Sequence, residues 1–174
     1  MNESLTDLLC TRCGLCCNGT LFADVELGQA EVARLENLGL EPEEHGSRAG
    51  LLSQPCPALK GTRCSIYAHR PKCCRTFECQ LLLDARQGAV TVSHAQEQII
   101  EAQSRIRRVR DLLAQIGGGD ASLPLKERCT EALAGPPATP EIRRKRAALE
   151  AAMLSVETII WESFLGSGEP IVRG

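Results

Sequence analysis

The chain has 174 residues, enough to bury an ordinary hydrophobic core. Its formal charge of −2 gives no overall electrostatic footprint for nucleic acid or for an anionic membrane. Aromatic residues make up only 3%, so apolar burial falls to Leu, Ile, Val and Ala, a palette that favours helices.

In chain order, the opening "MNESLTDLL" carries Glu3 and Asp7 where a secretory leader has a positive region, so secretion is not expected. Then "CTRCGLCC" places Cys10, Cys13, Cys16 and Cys17 within eight positions. Residues 28–39 read as a short amphipathic helix with Ala30, Val32, Ala33, Leu35 and Leu38 on its apolar side and Gly39 ending it. Residues 41–50 read as a loop, and Lys60-Gly61 falls where the turn of a small hairpin is expected. Five more cysteines lie between Cys56 and Cys79, and Cys129 stands apart.

The second half has helical period. Residues 80–88 form a helix ending at Gly88. A long helix opens at Ser93 with Gln96 in capping-box spacing and runs on a stripe of Ile99, Ala102, Ile106, Val109, Leu113 and Ile116. "LKERCTEALAG" is a short helical piece. The last helix has Thr139 as N-cap, Pro140 at its first position and a seam through Ile142, Leu149, Met153, Val156, Ile160 and Phe164. Glu150, Glu157 and Glu162 interrupt its most apolar stretch, which excludes a membrane span. The expected fold is mainly α. An irregular cysteine-rich metal-binding domain with short helices and a small hairpin, residues 1–90, precedes a long helical hairpin, residues 91–174, packed on it.

A cytoplasmic chain with ten cysteines points to metal ligands or redox groups, because structural disulfides do not persist in a reducing compartment. Cys10-x2-Cys13-x2-Cys16, with Cys56 followed by Pro57, has ferredoxin-like spacing for an iron–sulfur cluster. The same C-x2-C pairs suit a zinc knuckle, so spacing leaves zinc and iron both open. Adjacent Cys16 and Cys17 point in different directions, so one of them must face the second block. One partition groups Cys10, Cys13, Cys16 and Cys56 in one four-sulfur set and Cys17, Cys64, Cys74 and Cys79 in another. Lys60, Arg63, Arg70, Lys72 and Arg75 surround the second block, a positive bias that favours thiolate. Tyr67 and Phe77 are candidates to wall the centre from water. Arg70 and Arg75 are candidates to bond its sulfur or an anionic partner, or else to pair with a carboxylate. Cys73 and Cys129 read as non-ligands. The runs "RIRRVR" and "RRKR" lie on amphipathic helices with acidic neighbours, a solvated face and not a nucleic-acid site, although cations in the first turns of a helix oppose its dipole and suggest docking of a protein partner.

The run "CTRCGLCC", then "CPAL", then "CSIYAHRPKCCRTFEC" resembles the CxxCxxCC cysteine-cluster family, also called YkgJ-like, over residues 10–83. The resemblance rests on eight cysteines, Gly14, Cys56-Pro57, Ile66-Tyr67, Arg70-Pro71 and Cys74-Arg75-x-Phe77-x-Cys79. It implies zinc or iron chelation by Cys10, Cys13, Cys16, Cys17, Cys56, Cys64, Cys74 and Cys79. The leading expectation is a non-enzymatic metal-binding protein holding an iron–sulfur cluster, 4Fe-4S by its spacing, with or without a further zinc or iron ion, for electron transfer, metal or cluster handling, or sensing. A structural zinc module is the first alternative. The second is lysine N-methylation with S-adenosylmethionine, because the resembling domain also occurs within flagellin lysine N-methylases. Those enzymes are larger, and "IGGGD" follows a helix instead of joining strand to helix as a nucleotide loop does.

Overall fold

The computed structural model describes residues 4–45 and 48–166, and the side chains of these except residues 45, 48 and 49. Its elements are α1 (Leu5–Cys13), β1 (Asp24–Leu27), α2 (Gln29–Asn37), β2 (Glu43–His45), β3 (Arg48–Ser53), β4 (Leu59–Lys60), β5 (Arg63–Cys64), a 3-10 turn (Tyr67–His69), α3 (Lys72–Thr76), α4 (Gln80–Gln87), α5 (Val92–Gln115), α6 (Leu125–Leu133) and α7 (Pro140–Ile159), which continues as a π-helical segment (Ile160–Leu165). Helix predominates over a few short strands, so the fold is mainly α with a long C-terminal helix. Two compact units interleave in sequence. A helical unit takes the chain up to Cys13, then 78–120 and from Lys126 onward, and a cysteine unit takes 14–77 and 121–125.

In the helical unit α5 and α7 pack along their apolar stripes. Ala95, Ile99, Ala102, Ile106, Val109, Leu112 and Leu113 are buried on α5, and Leu149, Val156 and Ile159 on α7, with Ile160 and Phe164 extending the second stripe. Helix α5 begins two residues earlier than expected. Thr91, extended at ψ 156°, accepts the His94 N–H at 3.1 Å, and Ser93 falls inside the first turn. Thr139 caps α7 as expected, accepting from Ile142 N at 3.2 Å with Pro140 beside it. Leu113 has no exposed surface. Leu113→Ala is therefore expected to lower unfolding free energy by about 2–5 kcal/mol in urea titration, the cost of a buried cavity of that size.

Helix α1 packs on α4 and α5. Gln103 of α5 donates from Nε2 to the carbonyls of Arg12 at 2.8 Å and Cys13 at 3.0 Å, which satisfies the end of α1 where Cys10 and Cys13 sit one turn apart. Two arginines of this unit bind backbone carbonyls. Arg105 bridges Glu101 and the Ser155 carbonyl, and Arg146 gathers the carbonyls of Leu133, Ala134 and Gly135 at the end of α6.

The cysteine unit is built on an antiparallel sheet in the order β1-β3-β2, with Asp24 opposite Ser53 and Leu27 opposite Gly50. Residues 41–50 were expected as a loop. Instead β2 and the start of β3 pair across it, with Gly46 and Ser47 outside the described residues. Strands this short, rich in Glu and Gly, carry too few alternations to register as a period-two signal. Gly50 is needed where α2 crosses β3, because a Cβ there would stand 2.8 Å from Val32 Cγ2. Val32 and Leu35 face the sheet, while Ala30, Ala33 and Leu38 of the expected apolar side are exposed. Leu27, Leu35, Leu40, Leu52 and Ala58 form the core, and Cys56, Cys64 and Ile66 pack against it.

Candidate metal centre

Within the cysteine unit, backbone contacts tie the first cysteine block to the second. After α1 the chain turns at Gly14, whose φ of +70° lies in the left-handed region. A Cβ on Gly14 would stand 3.2 Å from Thr62 Cα and 3.4 Å from Thr62 Cβ, so this turn lies directly against the β4–β5 hairpin. The Cys17 N–H donates to the Gly14 carbonyl at 3.1 Å, and the Cys56 N–H donates to the Cys17 carbonyl at 2.8 Å. The hairpin falls at Lys60-Gly61 as expected and sets Leu59 opposite Cys64. Ser65 fastens it by donating from both N and Oγ to the Ala58 carbonyl. Cys17, Cys56 and Cys64 are thereby brought together from positions up to 47 apart in sequence. Gly14→Ala forces a left-handed residue against Thr62. It is expected to cost about 1–2 kcal/mol, read as a lowered thermal midpoint with reduced metal retention.

Helix α3 supplies Cys73 and Cys74 and is held from two sides. The Glu31 carboxylate accepts from Lys72 N at 2.6 Å with Oε1 and from Gly28 N at 2.9 Å with Oε2, joining the starts of α2 and α3. Burial alone would raise the Glu31 pKa, but these two N–H donors and the charges of Arg75 and Arg34 hold it below the usual carboxylate range. On the other side, Arg70 donates from Nε to the Tyr67 carbonyl at 3.1 Å and from Nη1 to the Cys74 carbonyl at 3.3 Å, with its guanidinium carbon 3.7 Å over the Tyr67 ring. Arg70 thus clamps backbone, and Arg75 lends its charge to Glu31. Tyr67 remains 40% exposed as the platform for Arg70, whereas Phe77 packs edge-on against Phe22 at 4.9 Å. Glu31 was invisible as a site residue because it lies 41 positions before Lys72; its only sequence signal is capping-box spacing from Gly28.

The sulfurs respond to each other. Cys73 Sγ lies 3.3 Å from the Glu26 carbonyl oxygen and in hydrogen-bond contact with Cys74 Sγ. That bond from Cys74 draws the Cys73 thiol down to about 7, against the effect of burial. The same bond, then burial, then the nearby sulfurs of Cys73, Cys17 and Cys56, push the Cys74 thiol well up. Burial raises Cys56, with Cys64 adding to it. Cys17, Cys64 and Cys74, three sulfurs of the other expected set, are thus neighbours of Cys56. Cys73, read as a non-ligand, is in direct contact with that group.

Cys10, Cys13 and Cys79 belong to the helical unit. Cys79 occupies the N-cap position of α4; burial raises its thiol, while the N–H groups of Leu82, of Cys79 itself and of Leu81 act to lower it. Cys129 is buried on α6, as expected of an apolar cysteine.

A family model, CxxCxxCC, described as "Putative zinc- or iron-chelating domain", matches residues 9–105. The chain belongs to the CxxCxxCC family. Neither the curated proteins nor the solved structures contain a significant match to it. The residues of this CxxCxxCC chain fit a thiophilic cation. Cys56 and Cys64 pack against the apolar core with Cys17 and Cys74 near Cys56, and burial with neighbouring sulfur raises the proton affinity of Cys56 and Cys74, which a bound cation would relieve. Among the described residues no group of three or more His, Cys, Asp or Glu side chains is already drawn into metal-holding geometry. Buried thiols that remain protonated pack as neutral groups, so closing on a cation is coupled to loss of their protons. Among the described residues no helix is long and apolar enough to cross a membrane.

Proposed function

We propose that this CxxCxxCC protein holds an iron–sulfur cluster in its cysteine unit and serves in the cytoplasm as a non-catalytic carrier or sensor of metal or electrons. The observation that carries the reading is the gathering of Cys17, Cys56, Cys64 and Cys74, with Cys73 touching the last, which offers more sulfur than one tetrahedral ion takes. When bound, such a cluster supplies one-electron chemistry at a potential set by burial and by hydrogen bonds to sulfur. The chain's own contribution is to hold the ligands: Arg70 and Glu31 position α3, the Gly14 turn and the Cys56 N–H hold the first block to the second, and Phe22 with Phe77 adds apolar cover within the unit.

A structural zinc centre is the second reading, favoured by the β4–β5 hairpin between Cys56 and Cys64, a knuckle-like element. Anaerobic purification followed by a visible spectrum and assay of iron, zinc and acid-labile sulfide tests the choice. Brown protein with sulfide is expected. Colourless protein with zinc and no sulfide would replace the cluster with the knuckle.

A further inference from the structure

Helix α7 presents a second face away from its buried stripe. Arg144, Ala147, Ala151, Leu154, Thr158 and Trp161 are all exposed along it, with Leu154 at 65% and Trp161 at 51%. Their spacing alternates three and four, the seven-residue repeat of a helix–helix seam, and it is separate from Leu149, Val156 and Ile159, which face inward. Thr158 Oγ1 donates to the Leu154 carbonyl at 2.9 Å, which satisfies its hydroxyl within the helix.

The charges on this face are polarised. In the run Arg143–Arg146, Lys145 pairs with Glu141 at 2.8 Å and Arg146 binds the end of α6. The Arg143 and Arg144 side chains make no ion pair or hydrogen bond among the described residues, and neither does that of Glu162 at the other end. A positive end, an apolar middle and a negative end complement a reversed copy of themselves.

We propose that α7 pairs antiparallel with α7 of a second copy of this chain. In that register Ala151 faces Leu154, Ala147 faces Thr158 and Arg144 faces Trp161 of the other copy, so a small residue meets a larger one in the inner layers. Each guanidinium then lies over an indole, within reach of the Glu162 beside it. Glu150 comes alongside Glu157 of the second copy, whose charge Lys126 already offsets at 3.1 Å. A parallel pair would instead stack Arg144 on Arg144 and Glu162 on Glu162, which is repulsive at both ends.

Sedimentation equilibrium of the full chain tests this, together with emission from Trp161, the sole tryptophan. Twice the chain mass is expected at concentrations on the order of 100 µM, with a concentration-dependent blue shift of the indole as it leaves water. Leu154→Glu and Arg144→Glu should each give monomers with unchanged far-ultraviolet circular dichroism, and Arg144→Glu combined with Glu162→Arg should recover the dimer. A chain that stays monomeric at that concentration overturns the proposal. So does a dimer indifferent to Arg144→Glu, or a double variant that fails to reassociate.

Discussion

Cys56→Ser is expected to weaken metal binding by on the order of 100-fold or more, with Cys74→Ser falling equally far, because one of four thiolates carries roughly a quarter of a structural site's binding free energy. Cys56 is the hinge of the arrangement: its N–H holds the Cys17 carbonyl at 2.8 Å, its side chain packs on the apolar core, and its sulfur neighbours those of Cys64 and Cys74. Serine keeps the backbone bond and nearly the same volume, so the loss would report on sulfur and not on folding. Cys129→Ser is the control. Cys129 is 3% exposed on α6, with Arg128 and Glu157 as its charged neighbours, and its removal should leave metal per chain unchanged. Elemental analysis alongside circular dichroism separates the two effects. Retention of full metal by Cys56→Ser would remove Cys56 from the centre.

The second large effect is a reversal of pH dependence on metal binding. Cys56, Cys74, Cys79 and Cys129 have thiols raised above the ordinary value of about 8.5. Without metal the folded chain holds these protons more tightly than the unfolded chain does. Their stabilising contribution is therefore complete below about pH 8.5 and is lost as pH rises through the raised values. Cys73, drawn down to about 7, runs the other way: its contribution is present above the ordinary thiol value and is lost as pH falls through about 7. Four raised groups outweigh one lowered group, so metal-stripped protein should lose stability on the alkaline side. Loaded protein should lose it on the acid side, because protons then compete with the cation for thiolate. Urea titrations of both forms from about pH 5 to 10 read this directly. Superimposable profiles would contradict it.

The helical unit was legible because its signals are long. Six positions from Ile99 to Ile116 repeat a helical stripe, and Thr139-Pro140 announces α7; the α5 cap falls at Thr91 and not Ser93 because the threonine hydroxyl alone accepts the His94 N–H. The sheet of the cysteine unit was hidden because β1, β2 and β3 span three to six residues each and draw their order from pairing across the chain. At the candidate centre, spacing named the cysteines but not their neighbours. That Cys56 stands with Cys17 and Cys74 depends on a backbone bond across 39 positions, and that Arg70 clamps carbonyls depends on the turn at Tyr67. Cys73 had one signal, adjacency to Cys74, which says nothing of direction until the helix is known.

X-ray absorption at the metal edge of anaerobically prepared protein tests the central claim most directly. Sulfur scatterers are expected to fill the first shell, about four of them at roughly 2.3 Å, whether the metal is zinc or iron. A first shell of oxygen and nitrogen, unchanged when Cys56 and Cys74 are replaced, would contradict the account.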